Sequence, residues 1–491
     1  MNNLNNLQPA SVWAHFATLC SIPRPSYKEA ALREHLIQWA RNRGITATVD
    51  IVGNLILSKP ASLGKEGQSG VVMQGHLDMV CQANTGTQHD FEHDPINAVV
   101  HNGWVEAVGT TLGADNGIGV ALALAVLEET DLIHPPLEVL LTVNEESGMD
   151  GARGLLPGTL KGKTLINIDT EEWGHFYLGC AGGVDVEVSH ECEQEVVPKG
   201  YVMMRMEVSG LRGGHSGIDI NSGRGNAIKL LAEALRDLAA HTDIRLMELN
   251  GGTARNAIPR EAYAVCALRA DAVTQLDGWV VHRHEVWRKR FGQSDAGVSF
   301  KSKMEKVHEG LAIKVDARDR VLAFLDTSAN GVTSMSDDFP GVTDTSSNLG
   351  VVKLEQGAFK VTFKVRSLQN TSKEALADKL ISFAASYDLQ ARKEGAYPGW
   401  APNPSSSLLK LCQQVYTQKF GQAASLQVIH AGLECGLLAA SHPHLDMISF
   451  GPDIRGAHAP GEKVEVESVG HCWQLLKAVL QALAESEPLT C

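Results

Sequence analysis

Repeatedly along this chain an apolar run ends on a side chain that an ordinary core does not tolerate. His76 and Asp78 close VVMQGHLDMV, and Asp115 sits in TLGADNG. Glu145 and Glu146 end LEVLLTVNEES, Asp169 ends TLINIDTEE, and His458 follows MISFGPDIRGAHAP. Isolated ionised groups are costly to desolvate, so buried charges are paired or bound to metal. A fold that accepts this chain has to gather several carboxylates and two imidazoles around a charged ligand.

The apolar runs VVMQ, LEVLLTV and TLINI alternate with helical stretches such as NGIGVALALAVLEET. That alternation argues an α/β layer with a largely parallel sheet flanked by helices. Open sheets of this kind bind ligands beyond the carboxyl ends of their strands. His76, Glu145, Glu146 and Asp169 all follow strand-like runs, and His458 follows one in a loop. Asp115 differs, because it precedes a long apolar helix that it could cap.

Residues 11–45 read as a helical opening with a proline-containing turn at SIPRPS. From about residue 197 the text changes. Alternating runs such as YVMMRMEVSG, AYAVCALRA and FKVTFKVRS are interleaved with helices such as NAIKLLAEALRDLAAH, which suggests an α+β unit with antiparallel strands. His458 has to return to the site of the first segment, so the middle reads as an insertion. The expected division is a catalytic domain at 1–196 and 393–491, with an α+β domain inserted at 197–392. At 491 residues two domains are the default.

The net charge of -14 argues against nucleic acid, whose phosphates need a basic face. The one basic run, Trp287 to Phe291, reads as a solvated helix face. No signal peptide is evident and no segment reaches the roughly 20 apolar residues of a membrane span. Nine dispersed cysteines without a CxxC pair read as reduced thiols, and the expected compartment is cytoplasmic. No HExxH helix, GxxxxGK[ST] loop or GxSxG elbow is present.

The acids and imidazoles suit a pair of metal ions, which two-metal hydrolases hold roughly 3.5–4 Å apart around a bridging carboxylate. His76 and Asp169 would serve one ion, Glu146 and His458 the other, and Asp115 both. Zinc favours His nitrogen with carboxylate oxygen, so two Zn2+ ions are expected, with Co2+ or Mn2+ as substitutes. Asp78 is close enough to orient the His76 ring. Glu145, pointing away from Glu146 if it sits on a strand, would act as general base toward the attacking water. Singly, each group has a plainer reading: a chance HxD, a helix cap, a solvated Glu pair, a turn former, a loop histidine. Jointly those readings require a run of coincidences at the same kind of place.

The motifs GHLDMV, TLGADNGIG, NEESGMDGARGL, NIDTEE and GAHAPGE resemble, in order and spacing, those of the M20-type metallopeptidases, which include aminoacylases, carboxypeptidases and dipeptidases. LCSIPRPS and HAGLECG are similar to the aminoacyl-histidine dipeptidase branch. The resemblance implies a di-zinc exopeptidase fold with an inserted lid. It implies a dipeptide substrate with a preference for Xaa-His, and the ligand and base roles given above. It also implies that His215, in LRGGHSG, stabilises the tetrahedral oxyanion, that Arg366, in FKVRS, grips the terminal carboxylate, and that Asn256, in RNAIPR, lies near the substrate. A guanidinium fork suits bidentate carboxylate binding, although Arg366 alternates with apolar residues and could lie on a solvent face. Glu434, in HAGLECG, lies near the return to the site. The alternative activity is deacylation of N-acyl amino acids or carboxypeptidase cleavage on the same scaffold. A metal-binding protein without activity would have lost the base or a ligand, and here all are present. The lid also offers surface for a homodimer.

Overall fold

The computed structural model describes residues 3–305 and 310–486. The chain divides into two compact units. The first is Met1–Gly179 with Trp400–Val428 and Leu433–Cys491, and the second is Cys180–Gly399 with Ile429–Gly432. The inner boundaries therefore fall at 180 and 399 rather than at the expected 197 and 392. The reason is strand pairing: Gly182–Glu191 lies between Ala358–Ser367 and Gln390–Tyr397 in one antiparallel sheet.

The first unit is built on an eight-stranded sheet. In chain order its strands are β1 (Thr46–Val49), β2 (Leu55–Lys59), β3 (Val71–His76), β4 (Leu137–Thr142), β5 (Thr164–Asn167), β6 (His175–Cys180), β7 (Ser425–Ile429) and β8 (Asp446–Ser449). Their spatial order is β1-β2-β4-β3-β5-β8-β6-β7. The central strands β4, β3, β5 and β8 run parallel, and β1, β2 and β6 pair antiparallel outside them. Every residue of β3, β4 and β5 is buried. That is why these strands read as continuous apolar runs: both faces of the sheet are covered.

Helix α1 (Ala10–Ser21), α2 (Ala30–Arg41) and α3 (Ala114–Glu128) precede or interleave with these strands. Only Asp115 and Glu128 of α3 escape burial, the pattern of a helix enclosed on all sides. Close approach is permitted by glycine. A Cβ on Gly119 would stand 2.0 Å from the Ile168 carbonyl, and one on Gly75 2.2 Å from Asn116 Oδ1. Two later helices of the unit are α4 (Glu434–Ser441) and α5 (Val466–Glu485).

The second unit is an antiparallel sheet ordered Ser299–Met304, Tyr201–Ser209, Ala262–Arg269, Ile244–Gly251, Thr343–Glu355, Ala358–Ser367, Gly182–Glu191, Gln390–Tyr397, with Gly331–Met335 paired to Thr343–Glu355. Alternate residues Val184, Val186 and Val188, with Phe359, Val361, Phe363 and Val365, share one core with the apolar face of helix Ala227–His241. The basic run at 287–291 closes helix Ala270–Phe291, with Trp287 buried and Arg288 to Arg290 exposed. No helix among the described residues is long and apolar enough to cross a membrane.

Candidate active site

The parallel strands deliver the expected residues to one end of the sheet. His76 is the last residue of β3 and pairs with Thr142, the last of β4. Asp169 lies two residues beyond β5, Glu145 and Glu146 lie in the turn after β4, and Asp115 opens α3. His458 lies in the loop after β8 with φ +65°. Asp115 sits at a break in its helix, with non-helical backbone at Asp115 and Asn116, and its carboxylate takes no hydrogen bond from a helix N–H among the described residues. Its carboxylate spans the cluster instead. Oδ1 is 3.1 Å from His76 Nε2, and Oδ2 is 3.0 Å from His458 Nε2. His76 Nε2 also lies 3.5 Å from Asp169 Oδ1, and His458 Nε2 lies 3.1 Å from Glu146 Oε1.

Three groupings have ligand atoms mutually within 4.8 Å: His76 with Asp115 and Asp169, Asp115 with Glu146 and His458, and His76 with Glu145 and Glu146. The last differs from the expectation that Glu145 points away from Glu146. Residues 145–148 form a turn, entered through Asn144 at φ +55°, so the alternation of a strand does not apply. The buried oxygens Glu146 Oε1 and Asp169 Oδ1 meet no hydrogen-bond donor in proper geometry. Unsatisfied buried carboxylate oxygens facing two imidazoles form a donor set suited to divalent cations.

The electrostatics point the same way. Burial raises Asp169 to about 7, with His76 opposing. Burial also raises Glu145 well above the carboxylate range, with His76 opposing and Glu434 adding to the rise. For Asp115 burial acts upward, but hydrogen bonds from His458 and His76 outweigh it and hold the carboxyl well below its usual range. The hydrogen bond to Asp115, with the Glu146 carboxylate close beside it, lifts His458 to about 11. Carboxyls this close compete for one charge state unless positive charge joins them.

Asp78 is fully buried and works as a hub. Its Oδ1 stands 3.4 Å from His76 Nδ1 and accepts from the Glu145 N–H at 3.0 Å. Its Oδ2 accepts from the Ser26 hydroxyl at 2.7 Å and the Glu146 N–H at 3.2 Å. It therefore joins the end of β3 to the turn after β4.

Sequence reasoning missed a polar layer beneath the cluster. Gln74 and Thr142 donate to Glu434 Oε2 at 2.6 and 2.7 Å, and Asn167 donates to Gln74 Oε1 at 2.5 Å. Ser449 in turn donates to Asn167. The chain crosses β4, β3, β5 and β8, and Glu434 Oε1 is buried without a partner. Burial raises Glu434 to about 8. Single polar letters inside apolar strands were the available signal. Arg24 and Glu462 were also passed over, although both stand inside quoted motifs.

The second unit holds a separate cluster. Arg366 is 3% exposed, not on a solvent face, and donates to Tyr397 Oη at 2.9 Å and Ser216 Oγ at 3.3 Å. Gly183, paired with Arg366 across the sheet, makes room: a Cβ there would stand 2.5 Å from Tyr397 Oη. The backbone N–H groups of Gly217 and Ile218 donate to His215 Nδ1 at 3.2 and 3.1 Å. Nε2 lies 3.3 Å from Arg366 Nη2, so both ring nitrogens face N–H donors. Burial, then the Arg366 charge, lowers His215 to about 4, so it is neutral at pH 7. Among the described residues no carboxylate forms an ion pair with Arg366, which leaves a buried cation beside a neutral imidazole. Asn256 lies exposed on a turn, where its backbone carbonyl accepts from the Ser216 N–H at 2.8 Å; its side chain does not join the cluster.

An α/β sheet with charged donors at the carboxyl ends of its parallel strands is the framework of a hydrolase of the metallopeptidase type. The chain belongs to peptidase family M20/M25/M40, whose model matches residues 72–482. It is 43% identical over 484 residues to the cytosol non-specific dipeptidase of Escherichia coli (strain K12), spanning 98% of this chain and 99% of that protein. Its fold matches the crystal structure of aminoacylhistidine dipeptidase from Vibrio alginolyticus with a TM-score of 0.90 at 40% identity, covering 98% of each chain. Aminopeptidase PepT from Bacillus cereus shares the fold more distantly, with a TM-score of 0.56 at 16% identity over 97% of this chain and 99% of that one.

Proposed function

We propose that the protein is a two-metal dipeptidase that cleaves short dipeptides with a free amine, Xaa-His among them. The observation that carries the reading is Asp115, which turns one carboxylate oxygen to His76 and the other to His458. His76 and Asp169 would hold one ion, Glu146 and His458 the second, and Asp115 both. The ions are taken as Zn2+, with Co2+ or Mn2+ able to substitute. When bound, such a pair of cations would supply Lewis acidity toward the scissile carbonyl and lower the pKa of water toward ~7.

The protein groups supply the rest. Glu145 takes a proton from the attacking water and returns it to the leaving amine. Asp78 fixes the His76 ring at Nδ1, with its main-chain carbonyl at 3.0 Å and its carboxylate at 3.4 Å. His215 stabilises the developing oxyanion through its ring N–H. Arg366 binds the terminal carboxylate that every dipeptide carries, an anion its own surroundings lack. Asn256 serves through its backbone hold on Ser216, beside His215. The cytosolic compartment in the name of the Escherichia coli relative is extended to this chain. Light scattering after gel filtration tests the homodimer expected from the lid.

The deciding assay is hydrolysis of β-Ala-His, Gly-Gly and N-acetylated amino acids before chelation, after it, and after zinc return. Zinc-restored cleavage of the free-amine dipeptides alone supports the reading. Cleavage of the blocked substrates instead replaces it with a deacylase.

A further inference from the structure

The segment that carries Asp115 is held from two sides by charged side chains outside the ligand set. Glu462 Oε2 accepts from the backbone N–H groups of Leu112 at 2.8 Å and Gly113 at 2.9 Å. Its Oε1 accepts from the Asp115 N–H at 3.1 Å. Arg24 donates from Nη2 to the Gly113 carbonyl at 2.5 Å, and from Nη1 to the carbonyls of Leu77 and Asp78 at 3.0 Å each. Both side chains are 2% exposed. Arg24 thus ties the end of β3 to the segment before α3. Glu462 ties that same segment to the turn that follows His458.

The local glycines fit this arrangement. A Cβ on Gly113 would stand 2.5 Å from Arg24 Nη2, and one on Gly117 2.6 Å from it. Gly113 also takes φ +70°, a conformation that favours glycine. The space occupied by the guanidinium exists because these two positions lack side chains.

We propose that Arg24 and Glu462 are positioning residues that set the separation of the His76 and His458 halves of the site by clamping the backbone from Leu112 to Asp115. The inference rests on the two-metal reading. A bridging carboxylate has to span ions roughly 3.5–4 Å apart, and a functional group needs placement within about 0.5 Å. Asp115 follows directly on the clamped backbone, so its N–H and the two before it decide where its oxygens lie. A carboxylate can accept from all three N–H groups. A glutamine amide cannot, because its NH2 would face at least one backbone donor.

The test uses the full chain stripped of metal and titrated with Co2+. The d–d absorption reports ligand geometry, and competition with a chromophoric chelator counts ions and affinities. Glu462→Gln is compared with wild type, Glu462→Asp, Arg24→Lys and a control, Glu128→Gln. Glu128 lies at the far end of α3, where it accepts from Trp39 Nε1 at 3.1 Å and pairs with His15 and Arg43. Its replacement removes an ion-paired carboxylate without touching the clamp.

Wild type is expected to bind two ions. Glu462→Gln should bind the second at least tenfold more weakly, with an altered cobalt spectrum, and Arg24→Lys should shift in the same direction. Glu128→Gln should keep both affinities and the spectrum even where its Tm falls. Wild-type affinity and spectrum in folded Glu462→Gln would overturn the inference. So would a loss of affinity in Glu128→Gln that tracks its Tm as closely as in Glu462→Gln. Should Glu462→Gln fail to fold, Glu462→Asp and Arg24→Lys decide by the same comparison. A wild type that binds fewer than two ions instead refutes the two-metal reading itself.

Discussion

Arg366 is a buried cation whose described partners are all neutral, and replacing it separates a binding role from a structural one. In Arg366→Met the fork that would meet a substrate carboxylate disappears. Two charge-assisted hydrogen bonds at ~1.5 kcal/mol each amount to ~3 kcal/mol. At 1.36 kcal/mol per decade, kcat/KM for dipeptides should fall roughly 100-fold. Arg366→Lys keeps the charge but not the fork and should lose about tenfold. The stability balance is different. The change leaves the hydroxyls of Tyr397 and Ser216 without their guanidinium donor, a cost of ~1 kcal/mol each. Removing an unpaired buried charge offsets this. The Tm should therefore move by no more than a few degrees. Steady-state kinetics on Gly-Gly and β-Ala-His, beside thermal melts of the same samples, read both quantities. An unchanged KM together with a large loss of Tm would refute the carboxylate-binding role and make Arg366 a structural member of its sheet.

Other consequences follow from the same geometry. Glu145→Gln should lower turnover by ~10^2–10^4-fold while metal content by elemental analysis stays at the wild-type value; retained turnover removes Glu145 as base. Chelation should lower the Tm of the first unit by on the order of 10 °C, because Asp169, Glu146 and Asp115 then face one another without a cation; calorimetry with no shift would mean the carboxylates are content without metal. His430 provides a pH test in the second unit. Burial, then the charge of Arg366, lowers it to about 3 from an ordinary 6.5, and Ser346 Oγ lies 2.7 Å from its Nε2. Between those values the unfolded chain binds the extra proton, so stability is complete above pH 6.5 and declines as pH falls toward 3. The loss is ~2 kcal/mol by pH 5, at 1.36 kcal/mol per pH unit. Urea melts at pH 7 and 5 should show this loss in wild type and less of it in His430→Gln; an equal loss in both sinks the assignment.

The clustered acids and imidazoles were legible because their chemistry leaves a local mark. Acids and imidazoles at the ends of wholly apolar runs are costly anywhere but around a cation, and the burial of β3, β4 and β5 produced those runs. That His76, Asp115, Glu146, Asp169 and His458 come together could therefore be expected from their neighbours in the chain, as could the parallel sheet and the antiparallel insertion. The domain limits were not legible to the same degree, because strand Gly182–Glu191 pairs with partners far along the chain.

What only the tertiary structure decided is which groups hold those ligands and which way they face. Glu145 turns toward Glu146 because the strand has already ended in a turn. Asp115 spans two imidazoles rather than capping its helix because His76 and His458 arrive on either side. Arg24 and Glu462 look unremarkable in sequence, since their partners are backbone atoms of distant segments. Hydrophobic period reports what lies next along the chain. A hydrogen bond between loops depends on where the sheet brings them, and that is settled only when the strands have packed.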